Sequence, residues 1–498
     1  MWLSRSAGSA VFAALVAFGT LARAQTPAPS PAVELTPPQV AAIDRIAQTA
    51  IERKATPSVV IGIAKQGRLV FVKAYGYRNL DDRVPADVDT AYGIGSNTKQ
   101  FTAACVLMLR DEGKLDLDAP VGRYLPGLAH GEVVTVRELL THTGGYVEFT
   151  ELDDFDRLAA RPATTEEILR TVLDRPLAFT PGTRWEYSNT GYVILTAMIE
   201  RLSGMRYADF LRTRIFEPLA MTRTRYENES AVEPDRATGY TRFAMGPQEH
   251  EQHVDYSWFA GAGAIASTVA DLEKWNEAID RGALLSPSSR EMMHTSMKLA
   301  DGTDTHYGMG LLLGTLPGGK HVIYHGGDTT GFGSQDARYI EDGIDVIVLT
   351  NQEPAIYNAI MRAVYLVVVE PTKLEPAPTL APLPAASPPP IPYAKHAVDV
   401  VARRWLEDAI AGRIDLARLR SSARAQLRSP VHQAALRSLA AYGPRSYSLV
   451  AVDRRAPTST YQYLLRTARR TLLYLFVIDD DGELGGGDVF DPDPIAPA

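Results

Sequence analysis

In the stretch AYGIGSNTKQFTAACVLMLRDEGKL, residues 91–115, a serine and a lysine stand three apart where a long apolar helix begins: Ser96 and Lys99. Residues at that spacing share one helical face, one turn apart, so a Lys99 amine can reach a Ser96 hydroxyl. A lysine stripped of water can help remove the serine proton, and the unpaired N–H groups of a helix start favour negative charge developing beside it. The competing reading is a capping serine followed by a solvated lysine. Two features oppose it: no other Ser-x-x-Lys occurs in the chain, and the Gly-flanked GIGS runs a strand end straight into the helix.

A nucleophile needs a base and a place for the oxyanion. Three Tyr-x-Asn triplets occur, Tyr77–Asn79, Tyr187–Asn189 and Tyr226–Asn228. Only the second, in PGTRWEYSNTGYVILTAMIERLSG, sits in a turn feeding a long apolar helix after a loop-fixing Pro-Gly. A tyrosine beside a lysine can have its pKa lowered toward use as a base, and Asn189 offers an amide to lysine or substrate. Two His-x-Gly stretches are candidates for a third element. His142 in VRELLTHTGGY follows a helix that ends in glycines, which reads as loop shaping. His325 ends the strand HVIYHGG, where the missing side chains of Gly326 and Gly327 let a substrate approach the backbone.

The elements that must hold these residues are legible in the alternation of side chains. SVVIGIAKQGRLVFVKAYGY reads as an antiparallel hairpin turning at KQGR. From Asn97 to Glu112 the apolar residues Phe101, Cys105 and Met108 recur at helical spacing, and Gly113 stops the helix. Strands return late, in KHVIYHGG and DARYIEDGIDVIVLTN. Strands at both ends with helices between predict one antiparallel sheet carrying a helical insertion, an α+β fold. FAGAGAIASTVADLEKW is read as structural, with Thr268 and Asp271 opening a helix in a capping-box-like start. The polar stretch between it and Tyr226 is read as a loop bordering the site, and His250 and His253 within it lack the partners of a metal site.

Composition bounds the rest. The apolar run Ala7–Ala22 after Arg5, followed by ARAQ, resembles a cleaved signal peptide, so residues 1–24 are set aside from the fold and the protein is expected to be exported, periplasmic or secreted. That run is shorter than a membrane span, and stable membrane insertion is not expected. The net charge of −8 is spread without a basic block, which argues against nucleic acid and for a small-molecule partner. The one cysteine, Cys105, cannot close an internal disulfide. PTKLEPAPTLAPLPAASPPPIP, residues 371–392, is too proline-dense for helix or sheet and marks a linker over 371–393. It separates a domain over 25–370 from a small α+β accessory domain over 394–498, whose helix carries Val398, Val401, Trp405 and Ile410.

In order, SNTKQFTAA, LDLDAPVGRYLP, VTVRELLTHTGGY, the Tyr187 segment, FAGAGAIASTVADLEKW and YHGGDTTGFGS resemble the class C β-lactamase-related serine hydrolases, akin to penicillin-binding DD-peptidases and family VIII esterases. The resemblance covers about residues 38–365 and implies the β-lactamase/transpeptidase-like sheet with a helical subdomain. It implies a serine acyl-enzyme with no cofactor and no metal. Ser96 then takes the nucleophile's place, Lys99 and Tyr187 handle protons, and Asn189, His325, Gly326, Gly327 and Asp328 meet substrate, with the N–H groups of Ser96 and Asp328 as the oxyanion hole. His-Gly-Gly stands where the lactamase pattern has Lys-Thr-Gly, so a fixed cation and a hydroxyl are missing and the charge at His325 becomes pH-dependent. The expected substrates are small esters, amides or peptides. A β-lactamase or D-alanyl-D-alanine carboxypeptidase, and a penicillin-binding sensor without turnover, are the alternatives.

Overall fold

The computed structural model describes residues 34–152, 155–227, 234–251, 254–353, 355–369, 396–419, 421–455, 458–467, 469, 471–479 and 484–491. The expected signal peptide and the proline-dense linker lie outside the described residues.

The chain enters through α1 (Pro37–Glu52), opened by a capping box between Thr36 and Gln39. The hairpin of β1 (Ser58–Lys65) and β2 (Arg68–Asn79) follows, its turn at Gln66 and Gly67, both at positive φ as a two-residue I′ turn requires. Val84–Pro85 forms a short β3. A 3-10 turn, Gly95–Asn97, leads into α2 (Thr98–Asp111), and α3 (Asn189–Ser203) and α4 (Val269–Arg281) come from the helical insertion. The late strands are β4 (Leu312–Thr315), β5 (His321–Thr329), β6 (Phe332–Tyr339) and β7 (Ile344–Thr350), followed by α5 (Tyr357–Val369).

These strands make one seven-stranded sheet in the order β3-β2-β1-β7-β6-β5-β4, antiparallel throughout. The early and late strands of the first domain meet at the sheet's centre, where Val59 pairs with Thr350 and Lys65 with Ile344. The α+β expectation is met. Ile43, Ile46 and Ile360 of α1 and α5 close one face of the sheet against Ile61, Ile63 and Val348. The other face packs Val60, Ile347 and Leu349 against Phe101, Leu272 and Trp275 of α2 and α4. β5 runs past the end of β4, which pairs with it only as far as Tyr324, so the segment from His325 to Asp328 presents a free backbone edge.

Two sequence readings need adjustment. Thr268 Oγ1 does accept from the Asp271 N–H, but the Asp271 carboxylate turns to the Arg223 N–H and the Thr224 hydroxyl, so the reciprocal half of the capping box is absent. The polar loop after Tyr226, expected to border the site, runs instead to the C-terminal sheet domain. Its residues Phe243 and Ala244 are buried in the core of the C-terminal sheet domain. That domain packs α6 (His396–Ile410) and α7 (Pro430–Ser438) on a four-stranded meander, Arg445–Arg455, Thr458–Thr467, Thr471–Asp479 and Leu484–Phe490. The Ala244 N–H donates to Asp488 Oδ1 at 2.8 Å, and His432 lies tilted against the Phe243 ring while meeting Glu249 at 3.0 Å.

Beneath α4 lies a group of buried carboxyls. Glu273 has no hydrogen-bond partner for either oxygen, and Asp336 has none for Oδ2. Burial and the fields of neighbouring carboxylates push the Glu273 pKa up to about 9 and that of Asp345 to about 7. A carboxyl raised in the folded state lends stability that is present below the unfolded value near 4.5 and is lost as pH rises toward the folded value. Wild-type protein is therefore expected to melt progressively lower between pH 6 and 9. Glu273→Gln should flatten that slope and raise Tm most at pH 9, read by thermal denaturation across the series; parallel slopes would show that Glu273 does not carry the effect.

Candidate active site

The site forms where the 3-10 turn before α2 meets the free edge of β5 and the start of α3. Ser96 is not a helix cap: neither Ile94 nor Asn97 makes a side-chain cap, and the Ser96 hydroxyl faces Lys99 Nζ at 3.2 Å. The Lys99 side chain is fully buried, with no exposure to solvent. Its other two contacts are shorter and run to carbonyl oxygens, Asn189 Oδ1 at 2.7 Å and the Ala262 carbonyl at 2.9 Å. The Asn189 amide orientation is fixed from its far end, since Nδ2 donates to Glu148 Oε1 at 3.1 Å. A neutral amine has two protons and one lone pair. With both carbonyls able only to accept, the protons go there and the lone pair faces Ser96.

Burial pushes the Lys99 pKa down to about 7, opposed by the field of Glu148. Near neutrality a substantial fraction of the amine is therefore free base, poised against the Ser96 hydroxyl. Tyr187 behaves otherwise than its position beside a lysine led us to expect. Its hydroxyl hydrogen-bonds Ser96 and its ring lies 4.6 Å from Lys99 Nζ, but burial pushes the phenol well above its ordinary value. It stays protonated and can hold or pass a proton, while the resting base is the amine.

His325 also departs from its expectation. It is 3% exposed, and its Nδ1–H donates to the Gly326 carbonyl at 2.6 Å while Nε2 accepts from the Tyr307 hydroxyl at 3.1 Å. Burial and the nearby Lys99 push its pKa down to about 3, so it is neutral at physiological pH and titration near neutrality belongs to Lys99 instead. Asn189 has both amide ends committed to protein groups, which leaves substrate contact to others. Of the remaining Tyr-x-Asn triplets, Tyr77 lies on β2 and Tyr226 is paired with the strand Ile265–Ser267; neither joins the site.

Close backbone approach builds the other half. Gly95 has φ +50°, and a Cβ there would sit 2.7–2.9 Å from the O, C and N of Asp328. At Gly327 a Cβ would come within 1.9 Å of the Ile94 carbonyl. Glycine at both places lets the serine turn press against β5, which brings the backbone of Asp328 next to that of Ser96. A relay of buried hydrogen bonds locks the turn: Trp275 Nε1 donates to Gln100 Oε1, Gln100 Nε2 to Asn97 Oδ1, Asn97 Nδ2 to Ser334 Oγ, and Ser334 Oγ to the Ile94 carbonyl. A cleft of about 380 Å³ opens here, lined by Ser96, Tyr187, His325, Asp328, Gln335 and Tyr357 among others.

Sequence reasoning missed three groups. Glu148 caps α3, its Oε2 accepting from the Asn189 N–H at 2.5 Å, and supplies the charge that holds Lys99 up; nothing in the spacing of YVEFTELDD marks it. Tyr307, from the far loop before β4, reaches His325. His142, read as loop shaping, is buried against the Tyr187 ring with centroids 4.4 Å apart, and its Nδ1 accepts from the Ser188 N–H at 3.1 Å. The structure holds His142 at φ +60° inside the THTGG turn, which the spacing of the sequence does not report. Among the described residues no cluster of His, Cys, Asp and Glu is arranged to hold a metal ion, and no helix is long and apolar enough to cross a membrane.

The β-lactamase family model matches residues 43–368, well over half of the chain. The chain belongs to the β-lactamase family. Penicillin-binding protein 4* of Bacillus subtilis (strain 168) is 31% identical over 304 residues, 58% of this chain and 67% of that protein's length. The structure of a D-stereospecific amidohydrolase from Streptomyces sp. matches at TM-score 0.57 and 27% identity, covering 66% of this chain and 97% of the other. The octameric penicillin-binding protein homologue from Pyrococcus abyssi matches at TM-score 0.61 and 23% identity over 91% of this chain and 98% of its own, a likeness of fold that reaches into the C-terminal sheet domain. This family member is a serine hydrolase.

An amine that must be neutral to accept a proton gives activity that rises with pH through its pKa. For this β-lactamase-family chain kcat/KM for p-nitrophenyl butyrate should rise through about pH 7. Glu148→Gln removes the charge that favours the ammonium, so the rising limb should move to lower pH. A limb that stays put in Glu148→Gln, or that His325→Asn moves instead, would contradict the assignment to Lys99.

Proposed function

We propose that this chain is an exported hydrolase that forms an acyl-enzyme on Ser96 and cleaves small esters, amides or peptides. The observation that carries the reading is the environment of Lys99: an amine without solvent, with two carbonyl acceptors and a lone pair left for Ser96. As Ser96 Oγ bonds to the substrate's carbonyl carbon, its proton passes to Lys99 Nζ. The oxyanion is taken up by the N–H groups of Ser96 and Asp328. When the bond to the leaving group breaks, Tyr187 gives that group a proton and is resupplied by the Lys99 ammonium. Water then adds to the acyl carbon, passing a proton to the restored amine, and the acid leaves as Ser96 regains its hydrogen. Neither metal nor organic cofactor is called for in these steps.

Amide chemistry is supported by the likeness to the Streptomyces amidohydrolase. Efficient β-lactam turnover is disfavoured by the third motif. A neutral, buried His325 offers no cation to a β-lactam carboxylate, and among the described residues the cleft lining includes no arginine and no lysine. Each charge-assisted bond forgone amounts to roughly 1.5–3 kcal/mol, about ten- to a hundredfold in rate. Export rests on residues 1–24, and residues 394–498 are proposed as an accessory domain that supports the first.

Ser96→Ala is expected to abolish ester hydrolysis, and Lys99→Ala or Tyr187→Phe to lower kcat by about 100-fold or more. On one preparation kcat/KM should rank p-nitrophenyl butyrate and a small amide or D-Ala-D-Ala peptide above nitrocefin, with intact mass following Ser96 acylation. Nitrocefin leading by tenfold would restore the lactamase reading, and a penicillin adduct that never turns over, with no ester hydrolysis, would indicate a sensor.

A further inference from the structure

The cleft has a side branch that the reaction above does not use. His325 and Gly327 point toward the serine turn, and Gly326, between them on β5, faces the other side of the sheet, where Gln335 of β6 is its register partner. A Cβ at Gly326 would lie 2.9 Å from the Tyr357 hydroxyl and 3.2 Å from Gln335 Oε1. Gly326 has no side chain and β4 pairs with β5 only as far as Tyr324, and the one cleft is lined by Ser96 and Tyr187 and also by Gln335, Tyr357 and Asn358.

The polar atoms there are of one kind. Gln335 is 1% exposed, and its Nε2 donates to the His325 carbonyl at 3.2 Å and lies 3.5 Å from that of Asp336. Two carbonyl acceptors fix the amide's orientation, so the atom turned toward Gly326 is Oε1, and this buried acceptor has no partner. The Tyr357 hydroxyl donates to Asp328 Oδ2 at 2.7 Å, which spends its proton and leaves oxygen lone pairs. Asp328 contributes a carboxylate at the exposed mouth. Three acceptors thus stand together at a cleft whose lining, among the described residues, has no arginine or lysine to answer them. A buried acceptor left without a donor is costly, and a ligand that brings an N–H there gains what the free protein lacks.

We infer that the branch under Gly326 is a subsite for a protonated amine on the acyl portion of the substrate, received by Gln335 Oε1, Tyr357 Oη and the Asp328 carboxylate. This deepens the proposed function and rests on its placement of the acyl group at Ser96: the substrates are then aminoacyl esters or amides rather than acyl groups bearing a carboxylate. It also gives the first glycine of His-Gly-Gly a task, since a side chain at 326 would meet Tyr357 and Gln335.

Alaninamide, as each enantiomer, and propionamide differ by the ammonium alone and can be compared as competitive inhibitors of p-nitrophenyl butyrate hydrolysis by the full-length protein. At least one alaninamide enantiomer should bind about tenfold or more tightly than propionamide, the range of a hydrogen bond to a charged group. Gln335→Leu and Gly326→Ala should each bring that ratio toward one, and Gln335→Glu should widen it. Equal inhibition by all three amides in wild type, or a ratio that neither Gln335→Leu nor Gly326→Ala changes, overturns the subsite. If wild type does not hydrolyse the ester, the serine-hydrolase mechanism fails separately, and titration calorimetry of the same amides on the same variants still decides the subsite.

Discussion

A primary amine with no access to water governs how this chain folds around its site. Lysine is among the residues least often buried, because its ammonium forfeits hydration unless the protein supplies acceptors or the group gives up its proton. Here both happen in part. Asn189 and the Ala262 carbonyl take two N–H groups, and the amine's pKa falls to about 7. Each acceptor needs its own anchorage. Glu148 fixes Asn189, while Thr196 Oγ1 receives the Gly261 N–H and the Thr102 hydroxyl donates to the Gly261 carbonyl, so the peptide before Ala262 is held at both ends. α2, α3 and the short helix Ala260–Gly263 meet because one amine has to be answered from three directions. The tuning follows from that packing: a carboxylate one residue removed, through Asn189, keeps the amine from falling further without pairing with it directly.

The second constraint is distance between backbones. An oxyanion site made of two N–H groups requires a turn and a strand to approach more closely than side chains permit, and Gly95 and Gly327 are the two positions where a methyl group would collide with the opposite backbone. Such an approach would be loose without a lock. The Trp275–Gln100–Asn97–Ser334 relay supplies one, running from α4 through the serine turn to β6 with every donor matched to an acceptor.

What could be read from sequence and what could not divides along the same physical line. Periodicity along the chain yielded the β1–β2 hairpin, the helix over 98–111 and the late strands, because each is decided by neighbours within a few residues. Ser96 and Lys99 were legible for the same reason, being one turn apart. Charge states were not. That Tyr187 is held protonated and His325 neutral depends on burial by Tyr307, Tyr192 and His142, which arrive from separate segments. A free sequence gives histidine its ordinary pKa near 6.5 and a tyrosine beside lysine a lowered one; burial, which no local window reports, reverses both inferences. Glu148 stayed hidden because its value lies in a helix N-terminus forty residues away.

The loop read as a border of the site shows how the C-terminal sheet domain bears on that site without touching it. Phe243 and Ala244 leave the first domain's surface and enter the other's core, where the Ala244 N–H meets Asp488. The same loop is tied back just before Phe243. Arg242 donates to the Arg53 and Lys54 carbonyls, and Tyr240–Thr241 pairs in parallel with Gln352–Glu353 beyond β7. The Tyr240 N–H then reaches the Gly331 carbonyl in the turn between β5 and β6, three residues from Asp328. Gly331, at φ +73°, has no room for a Cβ against Gly239, so the turn and the loop are in direct backbone contact. An apolar anchor such as Phe243 is favourable only while the second core surrounds it; exposed, its burial would be forfeited, and a loop losing that anchor gains freedom at the turn it supports. The strand that carries Asp328 is thereby braced from outside by a domain none of whose described residues lines the cleft.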